Sequence, residues 1–184
     1  MSSKKDKSRN LDKEFMSIAM NLAADRIGLT GLNPSVGCLI VKNNKILSFG
    51  QTGFNGRPHA ETVAIRKCKK NELIDSSIYI TMEPCTHYGK TPPCTNQIIK
   101  SKIKRVIYSI NDVDIRTSNK ANSVLKLKKI KVTKGILKLE VMKLYSNYLN
   151  HKKKNKPFVA AKIACSSDYY TTSKNKLITN IHSR

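Results

Sequence analysis

The stretch MEPCTHYGKTPPC, Met82 to Cys94, holds two cysteines, three prolines, a glycine and a histidine in thirteen residues. Prolines and a glycine at that density mark a loop. The apolar run before it, Ile78 to Met82, reads as a strand, and Thr95 to Ser101 after it as a short helix. Eight residues separate Cys85 from Cys94, which is longer than the spacing of short zinc motifs. The spacing leaves three readings: a disulfide loop, a metal site with an insert, or two unrelated thiols.

The cysteine count of the whole chain narrows these. Cys38, Cys68, Cys85, Cys94 and Cys165 form an odd set scattered over 184 residues. Disulfide scaffolds are shorter and denser in cysteine. Metal binding or catalysis in a reducing compartment fits better. No apolar run approaches the roughly 18 residues of a membrane span. The basic start MSSKKDKSRN leads into no apolar segment of the secretory kind. A cytoplasmic location and no membrane partner are therefore expected, with residues 1–11 as a basic disordered tail.

Outward from the loop, helices and strands alternate. Phe15, Ile18, Ala19, Leu22, Ala23 and Ile27 recur at helical spacing, so Asp12 to Ile27 is predicted as an amphipathic helix ending at Gly28. VGCLIV, Val36 to Val41, is a buried strand, Asn43-Asn44 a turn, and Ile46 to Gly50 a returning strand. His59 to Lys69 reads as a helix with Pro58 near its first position. Arg105 to Ile110 and Ile130 to Thr133 are strands, and Ser118 to Lys128 and Ile136 to Leu149 are helices. The alternation predicts a three-layer α/β sandwich with a central mixed sheet of about five strands and helices on both faces. A domain over 12–150 precedes a basic linker, HKKKNK, and a further strand at Pro157 to Ala164.

The net charge of +23 admits two readings. A polyanion such as nucleic acid is one. The other is composition, since an AT-rich genome favours the Lys, Asn and Ile in which this chain abounds. The basic residues are spread from end to end, which favours composition; a phosphorylated substrate gains from the positive field in either case.

His59-Ala60-Glu61 opens a helix behind a proline, Pro84-Cys85 follows a strand, and Cys94 opens another helix behind Pro92-Pro93. One His and two Cys suit Zn²⁺ and leave a fourth tetrahedral position for water. Zinc lowers the pKa of such a water from 15.7 to about 7. A carboxylate that is not a ligand must then move protons, and Glu61 stands two residues from His59. His-x-Glu followed by Pro-Cys and a second Cys is the zinc nucleobase-deaminase pattern, although its second half is usually Pro-Cys-x-x-Cys. A closed structural zinc site is the competing reading and needs a fourth protein ligand, for which His87 is the candidate.

The longer insert carries a specific resemblance. NPSVGC (Asn33 to Cys38), GRPHAE (Gly56 to Glu61) and EPCTHYGKTPPC (Glu83 to Cys94) resemble the deaminase half of the riboflavin-biosynthesis RibD family. These are the diaminohydroxyphosphoribosylaminopyrimidine deaminases, and the resemblance runs from about Phe15 to the C-terminus. It implies the cytidine-deaminase-like fold and one catalytic zinc held by His59, Cys85 and Cys94, with Glu61 as the proton carrier. It implies hydrolysis of the C2 amino group of 2,5-diamino-6-ribosylamino-4(3H)-pyrimidinone 5′-phosphate, with ammonia leaving. Substrate contacts are implied at Asn33, Thr52, His87, Lys90, Asp112 and Asp114. Bland roles compete for three of them: a turn before Pro34 for Asn33, a solvated loop charge for Lys90, and a helix cap for Asp112.

The chain also departs from the pattern. Thr52 stands where many members carry His. The usual Asp-Pro-Asn-Pro appears as Asp112-Val113-Asp114-Ile115, and Asn119 and Ala121 replace the glycines expected soon after. The family normally continues into an NADPH-dependent reductase domain of roughly 200 residues. Here Lys162 to Asp168 resembles the reductase's opening strand and Leu177-Ile178-Thr179 its next motif, and the sequence stops at Arg184. Residues 151–184 are therefore expected to be a linker and reductase remnant. Reductase activity and NADPH are not expected, and a separate reductase protein and self-association are the partners implied. A tRNA base deaminase, motivated by the charge, and a decayed zinc-binding fragment, motivated by the departures, are the alternatives. The insert argues against the open groove that a flipped nucleic-acid base needs.

Overall fold

Cys38 and Ile40 face one side of strand β1 (Gly37–Lys42) and Leu39 and Val41 the other, and all four are buried. A strand buried on both faces needs cover on both, and the rest of the chain supplies it. The computed structural model of the chain describes residues 2–154, 159, 161–165, 167, 169, 172–173 and 176–177. Its main sheet has five strands in the order β2-β1-β3-β4-β5. β2 is Lys45–Gln51, β3 Ser77–Met82, β4 Arg105–Ile110 and β5 Lys131–Lys134. β1 is antiparallel to β2 and β3, whereas β3, β4 and β5 run parallel. The mixed sheet of the α/β sandwich is thus as expected. Asn43 and Asn44 both adopt left-handed φ, the form of the tight turn that closes β1 onto β2. β5, an edge strand, carries Lys131 and Lys134 exposed, a charge pattern that discourages pairing with another chain.

Helices α2 (Ala60–Lys67), α4 (Cys94–Lys100) and α5 (Ala121–Leu127) cover one face through Ala60, Ala64, Ile98, Ala121 and Leu125. The four-residue α3 (Lys70–Leu73) adds Leu73. Helices α1 (Ser2–Ala24), α6 (Lys138–Leu144) and α7 (Ser146–Lys154) cover the other. Asp12 ties α1 to the sheet. It accepts two bonds from the Arg105 guanidinium at 2.9 and 2.6 Å and one from the Tyr79 hydroxyl at 2.7 Å.

Two glycines let the layers close. Gly37 and Gly50 sit in neighbouring rungs of β1 and β2. A Cβ on Gly37 would lie 1.8 Å from the Ala19 carbonyl oxygen, and one on Gly50 would lie 2.1 Å from the Ala60 carbonyl oxygen. Helices α1 and α2 therefore rest backbone-to-backbone on opposite faces of one hairpin.

Several expectations need correction. Residues 2–11, read as a disordered tail, belong to α1; no Gly or Pro interrupts residues 2–24, and Lys, Arg and Glu are good helix formers. That helix ends at Ala24 rather than Ile27, and Gly28 takes φ +84 in the turns beyond. Ile136 to Leu149 is two helices, because Tyr145 is pinned at the break: its hydroxyl donates to the Ser35 carbonyl at 2.6 Å and accepts from Thr81 at 2.6 Å. Val159 and residues 161–164, expected within a strand, join none among the described residues, and Val159 and Ile163 are exposed. Short strands β6 (Thr172–Ser173) and β7 (Lys176–Leu177) pair antiparallel. Ile178 and Thr179 of the expected second reductase motif lie outside the described residues.

A Gly37→Ala substitution is expected to cost about 1–3 kcal/mol through overpacking. Thermal unfolding should read this as about 2–4 °C of lost Tm per kcal/mol; an unchanged Tm would mean that α1 is not held on β1 by this contact.

Candidate active site

The carboxyl ends of the parallel strands β3 and β4 and the amino ends of α2 and α4 meet on one edge of the molecule. His59 is the residue before α2, in extended conformation, and its carbonyl accepts from Val63 N–H at 3.1 Å. Pro58, expected near the first helical position, lies two residues before α2, and its carbonyl accepts from Gly53 N–H at 2.9 Å. Glu61 falls in the first turn, where a negative charge is favoured. Pro93, its φ fixed near that of a helix entry, precedes Cys94 as the first residue of α4. Cys85 is clamped against the same helix start. Its carbonyl accepts from Thr95 N–H and Oγ1 at 3.2 and 3.1 Å, and its sulfur accepts from Cys94 N–H at 3.2 Å.

These constraints bring three potential ligand atoms together. His59 Nδ1 lies 3.2 Å from Cys94 Sγ and 3.7 Å from Cys85 Sγ. All three ligand atoms lie within 4.8 Å of one another, and among the described residues they are the group able to hold a metal ion. Two sulfurs and an imidazole at this spacing fit a tetrahedral zinc with one position left over. His87 is not in the group; its Nδ1 pairs with Thr117 Oγ1 at 3.0 Å. The fourth protein ligand of a closed structural site is thus lacking among the described residues.

Without metal, protons settle unevenly over this cluster. The thiol of Cys94 donates to Cys85, and with His59 this pulls Cys85 down to about 4. The same contact pushes Cys94 up, and the bond to Cys85 raises His59. Glu61, 4% exposed, is raised by burial, the shift that brings a carboxylate toward proton exchange near neutrality.

The cluster opens into a cavity of about 380 Å³, within the usual range for small-ligand sites. Every residue expected to touch substrate lines it: Asn33, Thr52, His87, Lys90, Asp112 and Asp114. Their chemistry differs. The Asn33 amide lies against Gly56, where a Cβ would meet its Nδ2 at 2.0 Å and φ is +86. Thr52 is 2% exposed and its hydroxyl accepts from Val36 N–H at 2.8 Å, so it braces the wall. Asp112 does not cap α5, which begins nine residues on at Ala121. Its Oδ1 accepts from Asp114 N–H at 3.0 Å, and burial raises its pKa. Asp114 is neutralised by Arg116, which contacts it at 2.5 Å and holds its carboxyl well below the usual range.

Further lining residues were not expected as site residues, among them Arg57, Glu83, Arg116, Tyr148 and Lys152. Arg57 and Glu83 stand inside the quoted segments and were legible as neighbours of the ligands. Tyr148 and Lys152 come from α7, and no local signal ties that helix to the site.

A family model described as the cytidine and deoxycytidylate deaminase zinc-binding region matches residues 9–110. The riboflavin biosynthesis protein RibD of Aquifex aeolicus is 36% identical over 179 residues, 96% of this chain and 50% of that protein. The chain spans about half the length of such curated relatives. Among solved structures, a Thermotoga maritima diaminohydroxyphosphoribosylaminopyrimidine deaminase/5-amino-6-(5-phosphoribosylamino)uracil reductase superposes with TM-score 0.81 at 36% identity. It covers 88% of this chain and 46% of that one. Acinetobacter baumannii RibD gives TM-score 0.82 at 33% identity, covering 94% and 49%. No helix among the described residues is long and apolar enough to cross a membrane.

Metal analysis of the purified chain is expected to find zinc. Single alanine substitutions at His59, Cys85 or Cys94 should each abolish stoichiometric binding, whereas His87→Ala should retain it. Zinc loss in His87→Ala would make the site a closed one.

Proposed function

The chain belongs to the cytidine and deoxycytidylate deaminase zinc-binding family, and we propose that it hydrolyses the C2 amino group of 2,5-diamino-6-ribosylamino-4(3H)-pyrimidinone 5′-phosphate. The observation that carries this reading is the buried, non-ligand Glu61 in the same cavity as the His59, Cys85 and Cys94 cluster. The choice of substrate is supported by the RibD relatives aligned over nearly the whole chain. The proposal covers the deaminase step alone.

His59, Cys85 and Cys94 would hold one zinc, which when bound supplies the Lewis acidity that makes water a nucleophile near neutrality. Glu61 is placed to take a proton from the attacking water as the oxygen–C2 bond forms. The carboxyl gives that proton to the ring nitrogen, then takes the remaining hydroxyl proton at C2 and gives it to the departing amine, so the C2–N bond breaks with ammonia leaving as the C2 carbonyl forms. Its raised pKa suits both halves of that exchange. The Asn33 amide offers a donor and an acceptor to the pyrimidine edge. Asp112, raised by burial, can meet the amino and hydroxyl donors of the substrate. Arg57, Lys90 and Lys152 on the cavity wall give the ribotide phosphate a cationic end. His87 and Asp114, held by Thr117 and Arg116, shape the wall between.

Ammonia release from the ribotide, from cytidine and from tRNA tests the reading. Release from the ribotide alone is expected, and Glu61→Gln should lower it by about 10²–10⁴-fold with zinc retained. Turnover of tRNA, or of none of the three, would sink the proposal. Lys152→Ala is expected to raise KM for the ribotide about tenfold and to leave the dephosphorylated riboside unaffected; equal effects on both would remove Lys152 from the phosphate end.

A further inference from the structure

The segment between β4 and α5 poses a physical problem. Residues 111–120 carry Asp112, Asp114 and Arg116 to the cavity, yet they contain no proline and Ile115 is 85% exposed. Little apolar burial fixes the loop, and its own turns (Asp112 to Asp114, Asp114 to Arg116) are local. Two side-chain contacts reach it from the cysteine insert, Thr86 Oγ1 to the Arg116 carbonyl at 3.4 Å and His87 to Thr117 at 3.0 Å. Asn119 takes φ +63, a left-handed conformation that asparagine tolerates better than other side chains but that still costs free energy.

Asn111 Nδ2 donates to Asn119 Oδ1 at 2.6 Å across the ends of the loop, and one further group ties both ends to the sheet. Glu83 stands two residues before Cys85 and is 4% exposed. Its N–H donates to the Ile110 carbonyl at 2.9 Å, extending the β3–β4 ladder by one rung. Its carboxylate faces the loop. Oε2 accepts from Asp112 N–H at 3.2 Å and Asn119 N–H at 3.0 Å, and Oε1 accepts from Ala121 N–H at 3.0 Å. The two ends of the loop are thereby drawn to one carboxyl group. An ionised carboxylate is acceptor-only with about four lone-pair positions, so it satisfies three converging N–H donors. An amide cannot: whichever way a glutamine turns, its NH₂ meets at least one of those N–H groups.

We propose that Glu83 is a positioning residue for the reaction: by bracketing the loop at Asp112, Asn119 and Ala121 it holds Asp112 on the substrate wall in fixed register with the Cys85 end of β3. This rests on the deaminase reading for its substrate. It separates Glu83 from the proton chemistry, which belongs to Glu61, and explains how a loop without prolines keeps a defined shape.

The test uses the full zinc-loaded chain and Glu83→Gln, which preserves side-chain volume. Native-state hydrogen exchange should show protection at the amides of Asp112, Asn119 and Ala121 falling at least about tenfold, with Ile107 and Tyr108 in β4 unchanged. Equal protection in both proteins overturns the pin. With the ribotide, Glu83→Gln should raise KM by about 10–100-fold with a smaller change in kcat and with zinc content intact. In an Asp112→Ala background the KM effect of Glu83→Gln should largely vanish, because the two act as a unit. Additive effects, a fall in kcat at constant KM, or a lower Tm with no kinetic change would each overturn positioning through Asp112. Failure of the wild type to deaminate the ribotide would overturn the substrate reading, and the exchange measurement would still decide the pin.

Discussion

Helix α2 can deliver His59 and Glu61 only because Gly50 has no side chain. Its first carbonyl oxygen lies 2.1 Å from where a Cβ on Gly50 would be, so the helix is seated against β2 by backbone contact rather than by adaptable side chains. Gly37 does the same for α1 on the opposite face. The hairpin is thus a thin partition with a helix seated directly on each side. Close packing transmits displacement rather than absorbing it, so the distance from His59 to the cysteines inherits the precision of that seat. Proline supplies matching rigidity on the other side of the cluster, at the entry to α4.

Charge is organised at the site in a way the net charge conceals. Against a chain of +23, the inner wall holds Glu61, Glu83, Asp112, Asp114 and the Cys85 sulfur, while Arg57, Lys90, Arg116 and Lys152 also border the cavity. Each inner carboxylate has a distinct environment. Asp114 is spent on a guanidinium and Glu83 on backbone amides, and burial raises Glu61 and Asp112. Four carboxylates in one cavity therefore have different partners, although Asp114 and Glu83 add to the upward push on Asp112.

Much of this was legible in the sequence, for identifiable reasons. The strands were readable because β1 is a continuous apolar run and β3 and β4 are apolar but for Thr81 and Ser109 between their flanks, and the candidate metal-binding group because each of its residues stands beside a proline at the edge of a regular element. The start of α1 was misread because its basic first turns lack apolar periodicity. The break before α7 was hidden because it follows from a Tyr145 hydroxyl reaching Ser35, residues distant in sequence and joined only in the fold. Thr52 was legible as a cavity residue, but its bond to Val36 was not, because pattern reading assigns a place to a hydroxyl and not a partner. Glu83 lay in plain view between strand and cysteine, yet a strand-end carboxylate has no sequence signature that distinguishes solvent from three amide donors.

The cavity wall begins at Leu32 and closes at Lys152, so it draws on nearly the whole described globule. Such a site has high contact order: its last wall can form only after the long connections between its parts have closed. Substrate then binds a completed fold and nothing before it, so occupancy stabilises every layer at once. Damage far from the chemistry, at the α1 seat or the Tyr145 anchor, would register as lost affinity before it registered as unfolding.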